Sequence, residues 1–197
     1  MEFLEALKNR RSIYNIDRNI KVKEEEIISL VEQAMIYTPS AFNSQSQRAV
    51  LVFGERHEQV WEMVKQAIKK IVSPEDFKNS EIKINSFKKG YGTVLFFDDK
   101  RTTEGLMEKF PLYKENFYRW SIEQNGMVQS NVWVGLESIG IGASLQHYNE
   151  LIEKDLKEAF NIDDSWQLIA QMPFGNLVEV PEEKNKMEIE KRFIVLR

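Results

Sequence analysis

Two arginines and a serine, Arg10-Arg11-Ser12, follow a short apolar-patterned segment near the N-terminus. Guanidinium groups grip phosphate through paired N–H donors, and a neighbouring hydroxyl adds another donor. The competing reading is a pair of solvated arginines at a helix end, where the macrodipole favours them. Residues 39–47, PSAFNSQSQ, place small hydroxyl and amide side chains between a helical pattern and an apolar strand pattern. Such a run can offer neutral donors and acceptors to a flat heterocycle, and it also makes ordinary turns. Lys83, Lys88 and Lys89 precede a second strand pattern, and Lys191-Arg192 precede the last. Each could place positive charge beside an anionic ligand or simply sit in solvent.

Other chemistries find less support. Histidine is a common general base, which makes His147 a candidate, but no G-x-S-x-G nucleophile motif accompanies it. The acidic runs Glu24-Glu25-Glu26 and Glu182-Glu183 read as solvated faces, and the Walker A pattern is absent. Gly140-Ile141-Gly142 begins like a dinucleotide fingerprint, yet Leu145 stands where a third small residue belongs and the preceding stretch is helical. The chain has no cysteine and two histidines, which excludes thiolate metal sites and disulfides and gives no histidine metal site. A formal net charge of -4 gives no general grip on nucleic acid. No apolar run is long enough to span a bilayer, and the acidic start Met1-Glu2-Phe3-Leu4-Glu5 is unlike a signal peptide. The expected location is the cytoplasm, with no membrane partner.

These residues need a scaffold. With 197 residues, 42% hydrophobic and 29% charged, and no linker or repeat, the chain is expected to form one domain over residues 1–197. Phe3 and Leu7 mark a short first helix. Ile27, Leu30, Val31 and Ala34 mark a second, starting near Lys23 and bounded by Pro39. Ala49 to Phe53 reads as a strand closed by Gly54. Val60, Val64, Ala67, Ile68 and Ile71 trace a helix broken at Ser73-Pro74. Gly92 to Phe97 reads as a buried strand stopped by Asp98-Asp99, Trp166 to Met172 as a third stopped by Pro173, and Phe193 to Leu196 as a fourth. Irregular alternation of helices with few strands predicts an α+β class. Between Ser121 and Ser138 the only charges are Glu123 and Glu137, so the helix predicted over residues 115–139 lacks a charged face. A central helix buried by its own subunit and by a partner follows, hence a homodimer.

In order along the chain, "RRSIY", "PSAFNSQ", "KGYGTVLFFDD", "GIGASLQHYN", "QMPFG" and "EKRF" resemble the FMN-dependent nitroreductase family, in its short-chain, fatty acid repression mutant-like branch. The resemblance implies a mostly antiparallel central sheet flanked by helices, in an intertwined homodimer with two FMN sites at the interface. It implies that Arg10, Arg11 and Ser12 hold the phosphate and ribityl end, with Tyr14 beside them and Arg192 joining from the last strand. Pro39, Ser40, Asn43 and Gln45 would reach the flavin of the other subunit, and Lys83 would lie near the pyrimidine edge. Leu145, Gln146, His147 and Tyr148 would lie along the ring, with a backbone N–H towards N5. The implied activity is ping-pong hydride transfer from NADH or NADPH, through FMN, to nitroaromatic, quinone or similar small electrophilic acceptors. No protein nucleophile is then required, because the reactive atom belongs to the cofactor. The alternative is a flavin-binding regulatory or stress-response protein with little turnover; a purely structural dimerisation domain explains the central helix but not the ordered motifs. The chain departs from the family at Ile194, where a second basic residue is common, and in lacking the proline and tryptophan that often follow NSQ. A comparatively open acceptor site is expected.

Overall fold

The structure, a computed structural model, describes residues 2–197. Its centre is the strand predicted from the apolar run, β3 (Gly92–Asp99), in which all eight residues are buried. Successive side chains of a strand point to opposite faces, and β3 uses both. Val94 and Phe96 join Ile27, Val31, Val128, Val132 and Leu136 in one apolar cluster. Leu95 and Phe97 join Val60, Trp61, Val64, Ile84 and Phe87 in the other. Helices therefore cover both faces: α2 (Glu24–Tyr37) and α6 (Lys114–Ser138) on one, α3 (Gly54–Ile71), α4 (Pro74–Lys88) and α7 (Asn149–Phe160) on the other. The short α1 (Phe3–Asn9) packs against α6, and α5 (Lys100–Lys109) also lies along it.

Among the described residues the ladders between strands are all antiparallel. The order is β1 (Ile16–Asp17), β5 (Trp166–Leu177), β3, β2 (Gln47–Phe53), and β4 (Ile141–Ala143) pairs with β5 beside this path. This is the expected α+β architecture with an antiparallel sheet flanked by helices. The outer edge of β2 pairs with no strand among the described residues.

Several expectations need correction. β5 does not stop at Pro173; it runs on to Leu177, with Pro173 opposite Thr93 and its carbonyl accepting the Ser144 N–H at 3.2 Å. Proline removes one donor from a ladder without preventing the pairing on either side. No strand forms at Phe193–Leu196. That segment follows a 3-10 turn at Ile189–Lys191, and its four side chains are 60% exposed or more. A short apolar run needs a strand to pair with, and none of the described residues supplies one there. α4, α5 and α7 were not anticipated, and Ser73-Pro74 starts α4 as well as ending α3: Ser73 Oγ accepts the Asp76 N–H, and Pro74 occupies the first turn.

Gly140 ends α6 in a left-handed conformation, φ +78°. The chain then enters β4 directly, a strand of three residues that the sequence reading had not placed there. Within one chain α6 is covered only in part. Val128, Val132 and Leu136 are buried, but Ile122 and Met127 remain exposed.

Candidate active site

The site is organised by the outer edge of β4 and the bridge that extends it. On the inner side, Ser144 N–H donates to Pro173 O, and Gln146 and Gln171 exchange backbone hydrogen bonds of 2.8 and 2.9 Å. Backbone groups of alternate residues point to opposite edges of a strand. Residues 142, 144 and 146 therefore face β5, while 143, 145 and 147 face outward. At Ala143 the outward carbonyl is used: Ile13 N–H donates to it at 2.9 Å, and Ser12 forms a parallel bridge with Ala143. The next outward N–H groups, those of Leu145 and His147, have no partner among the described residues.

Gln171, fully buried, fixes this edge from behind. Its Oε1 accepts the Tyr148 N–H at 2.8 Å and its Nε2 donates to Asn149 Oδ1 at 2.6 Å. The side chain of Gln146 points inward, with Nε2 donating to Ser144 Oγ at 3.1 Å, so this residue meets the site through its backbone. His147 is exposed with no side-chain hydrogen bond among the described residues, which leaves it without the orienting partner that a general base needs.

Cations gather beside the open edge. Arg10, at the end of α1, lays its guanidinium over the Trp133 ring at 4.2 Å. Arg11 donates from Nη2 to the Glu182 carbonyl oxygen. Lys83 Nζ lies 5.5 Å from the Tyr14 ring centroid and 5.8 Å from that of Phe87. Tyr14 packs on Phe87, Phe87 on Trp61, and Trp61 on Tyr148, with centroids 5.8, 4.9 and 6.2 Å apart. Burial, and then the neighbouring Tyr14, push the Tyr148 hydroxyl above its ordinary pKa, so it stays neutral. Burial also raises the Glu137 carboxyl, against the opposing charge of Arg10. The chain thus brings together Arg10, Arg11, Ser12, Tyr14, Lys83 and residues 145–148. Two unspent N–H donors on a flat edge, flanked by cations and a tyrosine wall, suit a planar ligand carrying an anionic group, and the FMN expected from the resemblance fits this donor set.

The loop at residues 39–45 sits elsewhere, around Gln124 of α6. Gln124 Oε1 accepts the Ala41 N–H at 2.8 Å, and Nε2 donates to Ser44 Oγ at 3.1 Å and Ser46 Oγ at 2.8 Å. Within the loop, Ser40 Oγ accepts the Gln45 N–H at 2.9 Å. Phe42, Asn43 and Gln45 all take positive φ, between 50° and 55°, a strained choice for phenylalanine. Phe42 is held there by the rings of Phe110, Tyr113, Phe117 and Trp120, 4.9 to 6.0 Å away. Pro39, Ser40, Phe42, Trp120 and Met127 line an open apolar cavity of about 340 Å³. Gln124 and Trp133 are nine residues apart on α6, about 13 Å along the axis, so this loop and the Arg10 cluster are distinct within one chain. Arg192 also stands apart: it is exposed on the C-terminal segment, and no hydrogen bond or ion pair joins it to Arg10–Tyr14 among the described residues.

Sequence reasoning passed over Gln124, Gln171, Trp133 and His57. The first had a usable signal, since an uncharged amide on the apolar face of a charge-poor helix needs partners when buried. His57 gave none. It lies behind the site, fully buried, where Trp61 Nε1 donates to Thr93 Oγ1 at 2.9 Å and His57 Nδ1 lies 2.8 Å from the same oxygen. Nε2 faces the Lys88 carbonyl at 3.3 Å. Because Trp61 occupies Thr93 as an acceptor, the hydroxyl proton is free to go to Nδ1, which assigns the neutral Nε2–H tautomer. Burial pushes the His57 pKa down to about 4.

The model of the nitroreductase family matches residues 7–176. Nitroreductase FRM2 of Saccharomyces cerevisiae is 34% identical over 184 residues, covering 92% of this chain and 91% of that protein. Nitroreductase CinD from Lactococcus lactis, solved in complex with chloramphenicol, has a TM-score of 0.91 at 36% identity with 100% of both chains covered. Its complex with 4-nitrophenol gives 0.90 at 37%, again over 100% of both chains. The open β4 edge with its cationic border therefore lies within a family match that spans most of the sequence, and the chain belongs to the nitroreductase family of oxidoreductases.

Proposed function

We propose that this chain is an FMN-dependent oxidoreductase that works as a homodimer, taking electrons from NADH or NADPH and passing them to nitroaromatic, quinone or similar acceptors. The observation that carries this reading is the pair of unpartnered outward N–H groups at Leu145 and His147, set next to Arg10, Arg11 and Lys83. When bound, FMN supplies reversible two-electron chemistry, accepting a hydride from the nicotinamide and giving two electrons to the acceptor in a ping-pong cycle. Arg10, Arg11 and Ser12 hold the phosphate and ribityl end. Lys83 puts positive charge at the pyrimidine edge, and Tyr14 and Tyr148 close that side against water. An outward N–H of the 145–147 edge would supply a donor to the flavin ring.

Homodimerisation completes the site in this reading. Pro39, Ser40, Asn43 and Gln45 are too far along α6 to serve their own chain's cluster, so they serve the partner's. The exposed face of α6 supports this, as do the unpaired β2 edge and the apolar Phe193–Leu196 segment, which carries Arg192 with it. An edge strand and an uncovered apolar strand-like segment are complementary surfaces. The CinD complexes with chloramphenicol and 4-nitrophenol support a nitroaromatic acceptor for this relative.

Stopped-flow reduction of the purified protein under anaerobic conditions, with NADH and NADPH separately, tests the activity. Bleaching of the flavin band, followed by recovery on adding 4-nitrophenol or a benzoquinone, is the expected result. Bound flavin that neither nicotinamide reduces at a useful rate would replace this reading with a flavin-binding protein of little turnover.

A further inference from the structure

Arg10 differs from its neighbour in how it is held. Arg11 spends a donor on the Glu182 carbonyl, whereas the Arg10 guanidinium makes no hydrogen bond or ion pair among the described residues. It rests on the Trp133 ring at 4.2 Å. A guanidinium over an aromatic face uses its own face and keeps its in-plane N–H groups available, while a carboxylate partner would consume them. Glu137, one helical turn further on the same side of α6, is close enough for the Arg10 charge to be felt, yet forms no ion pair with it.

Trp133 itself gives the second observation. Its Nε1 is buried without a hydrogen-bond partner, the single such side-chain atom among the described residues. A buried, unsatisfied N–H is destabilising, so the indole's hydrogen bonding does not account for tryptophan at this position. What the ring supplies is its face. We propose that Trp133 is a positioning residue for the cofactor phosphate: its indole holds the Arg10 guanidinium at the site with the N–H donors unspent, ready for an oxyanion. The inference rests on the flavin reading above and extends it to a helix that none of the expected cofactor contacts includes.

The test is the ratio of affinities for FMN and riboflavin, which differ only in the phosphate, titrated into flavin-free protein by fluorescence. Trp133→Leu is expected to weaken FMN by about tenfold and riboflavin by less than about twofold. Trp133→Phe, which keeps a weaker face and removes the N–H, should fall between Trp133→Leu and wild type, and it carries the test if the leucine variant misfolds. Equal weakening of both flavins would reduce Trp133 to a packing role and overturn the proposal, and so would unchanged affinities. Arg10→Ala separates the two levels. If it leaves the FMN-to-riboflavin ratio at the wild-type value, the Arg10–phosphate assignment fails; if it lowers the ratio while Trp133→Leu does not, only the role of Trp133 fails.

Discussion

Replacing Gln124 by leucine removes the side chain that hydrogen-bonds the residue 39–45 loop to α6, leaving the packing of Phe42 on Phe117 and Trp120. Three hydrogen bonds go: one accepted from Ala41 N–H and two donated to Ser44 and Ser46. Ser46 Oγ keeps its 2.5 Å bond to Asp98, and Ser44 can turn to solvent, so each of those losses is about 1 kcal/mol. The part-buried Ala41 N–H is orphaned, at about 1–3 kcal/mol. Against this total of roughly 3–5 kcal/mol stands the strain at Phe42 and Gln45, about 1–3 kcal/mol each, which the loop recovers if it lets go. The two sums are comparable, so the loop is expected to leave its left-handed conformation. Global stability should then fall by only about 1–2 kcal/mol, measured by urea unfolding at fixed protein concentration. Hydrogen exchange at the Ala41 and Gln45 amides should accelerate by at least about 100-fold, an opening free energy lowered by roughly 3 kcal/mol. A stability loss under about 0.5 kcal/mol with unchanged exchange at those amides would refute the reasoning.

His57 makes stability depend on pH. Its pKa falls from 6.5 to about 4 in the folded chain because burial disfavours the charged ring, so the unfolded state binds more protons between those values. The contribution is fully present above about pH 6.5 and is lost as pH falls to about 4, an amount near 3 kcal/mol. His57→Gln should flatten that part of the stability–pH curve, and an unchanged slope would contradict the burial argument. At Gly175, an added Cβ would strike the Asp17 carbonyl oxygen and lie 3.1 Å from Tyr91 N. Gly175→Ala is therefore expected to cost about 1–3 kcal/mol in thermal or urea unfolding, because backbone must move where β1 and β5 pair. Arg10→Ala should lose FMN on gel filtration at a salt concentration where Lys69→Ala retains it, since Lys69 lies over the Phe77 ring and contacts none of the expected cofactor residues; equal retention would show that Arg10 is not a cofactor contact.

What could be read from the sequence was whatever depends on burial alone. The β3 run and the charge-poor α6 declare themselves because a buried strand has no polar face and a buried helix has no charged one. The features that failed depend on a partner. Phe193–Leu196 has strand composition, but strand formation requires an edge, and none among the described residues pairs with it. Pro173 stands where a ladder tolerates a missing donor, which composition cannot reveal. β4 is too short to carry a period, and its importance lies in which edge its odd-numbered residues face, a property fixed by its register with β5. Gly140 was legible as the end of α6, and its positive φ agrees. Of the residues expected at the site, Arg10, Arg11, Ser12, Tyr14, Lys83 and residues 145–148 lie on neighbouring segments of the fold, while the 39–45 loop and Arg192 stand apart. Trp133 was missed because the partner of a guanidinium over a ring sits more than 120 positions away in sequence, with no local pattern to announce it.

The central claim is that this chain carries FMN at the β4 edge, and the visible absorption spectrum of the freshly purified protein tests it most directly. The prediction is the visible absorption of an oxidised flavin, whose chromophore, released by heat, is FMN in an amount equimolar with the chain. A colourless protein that cannot be reconstituted with added FMN would contradict the account.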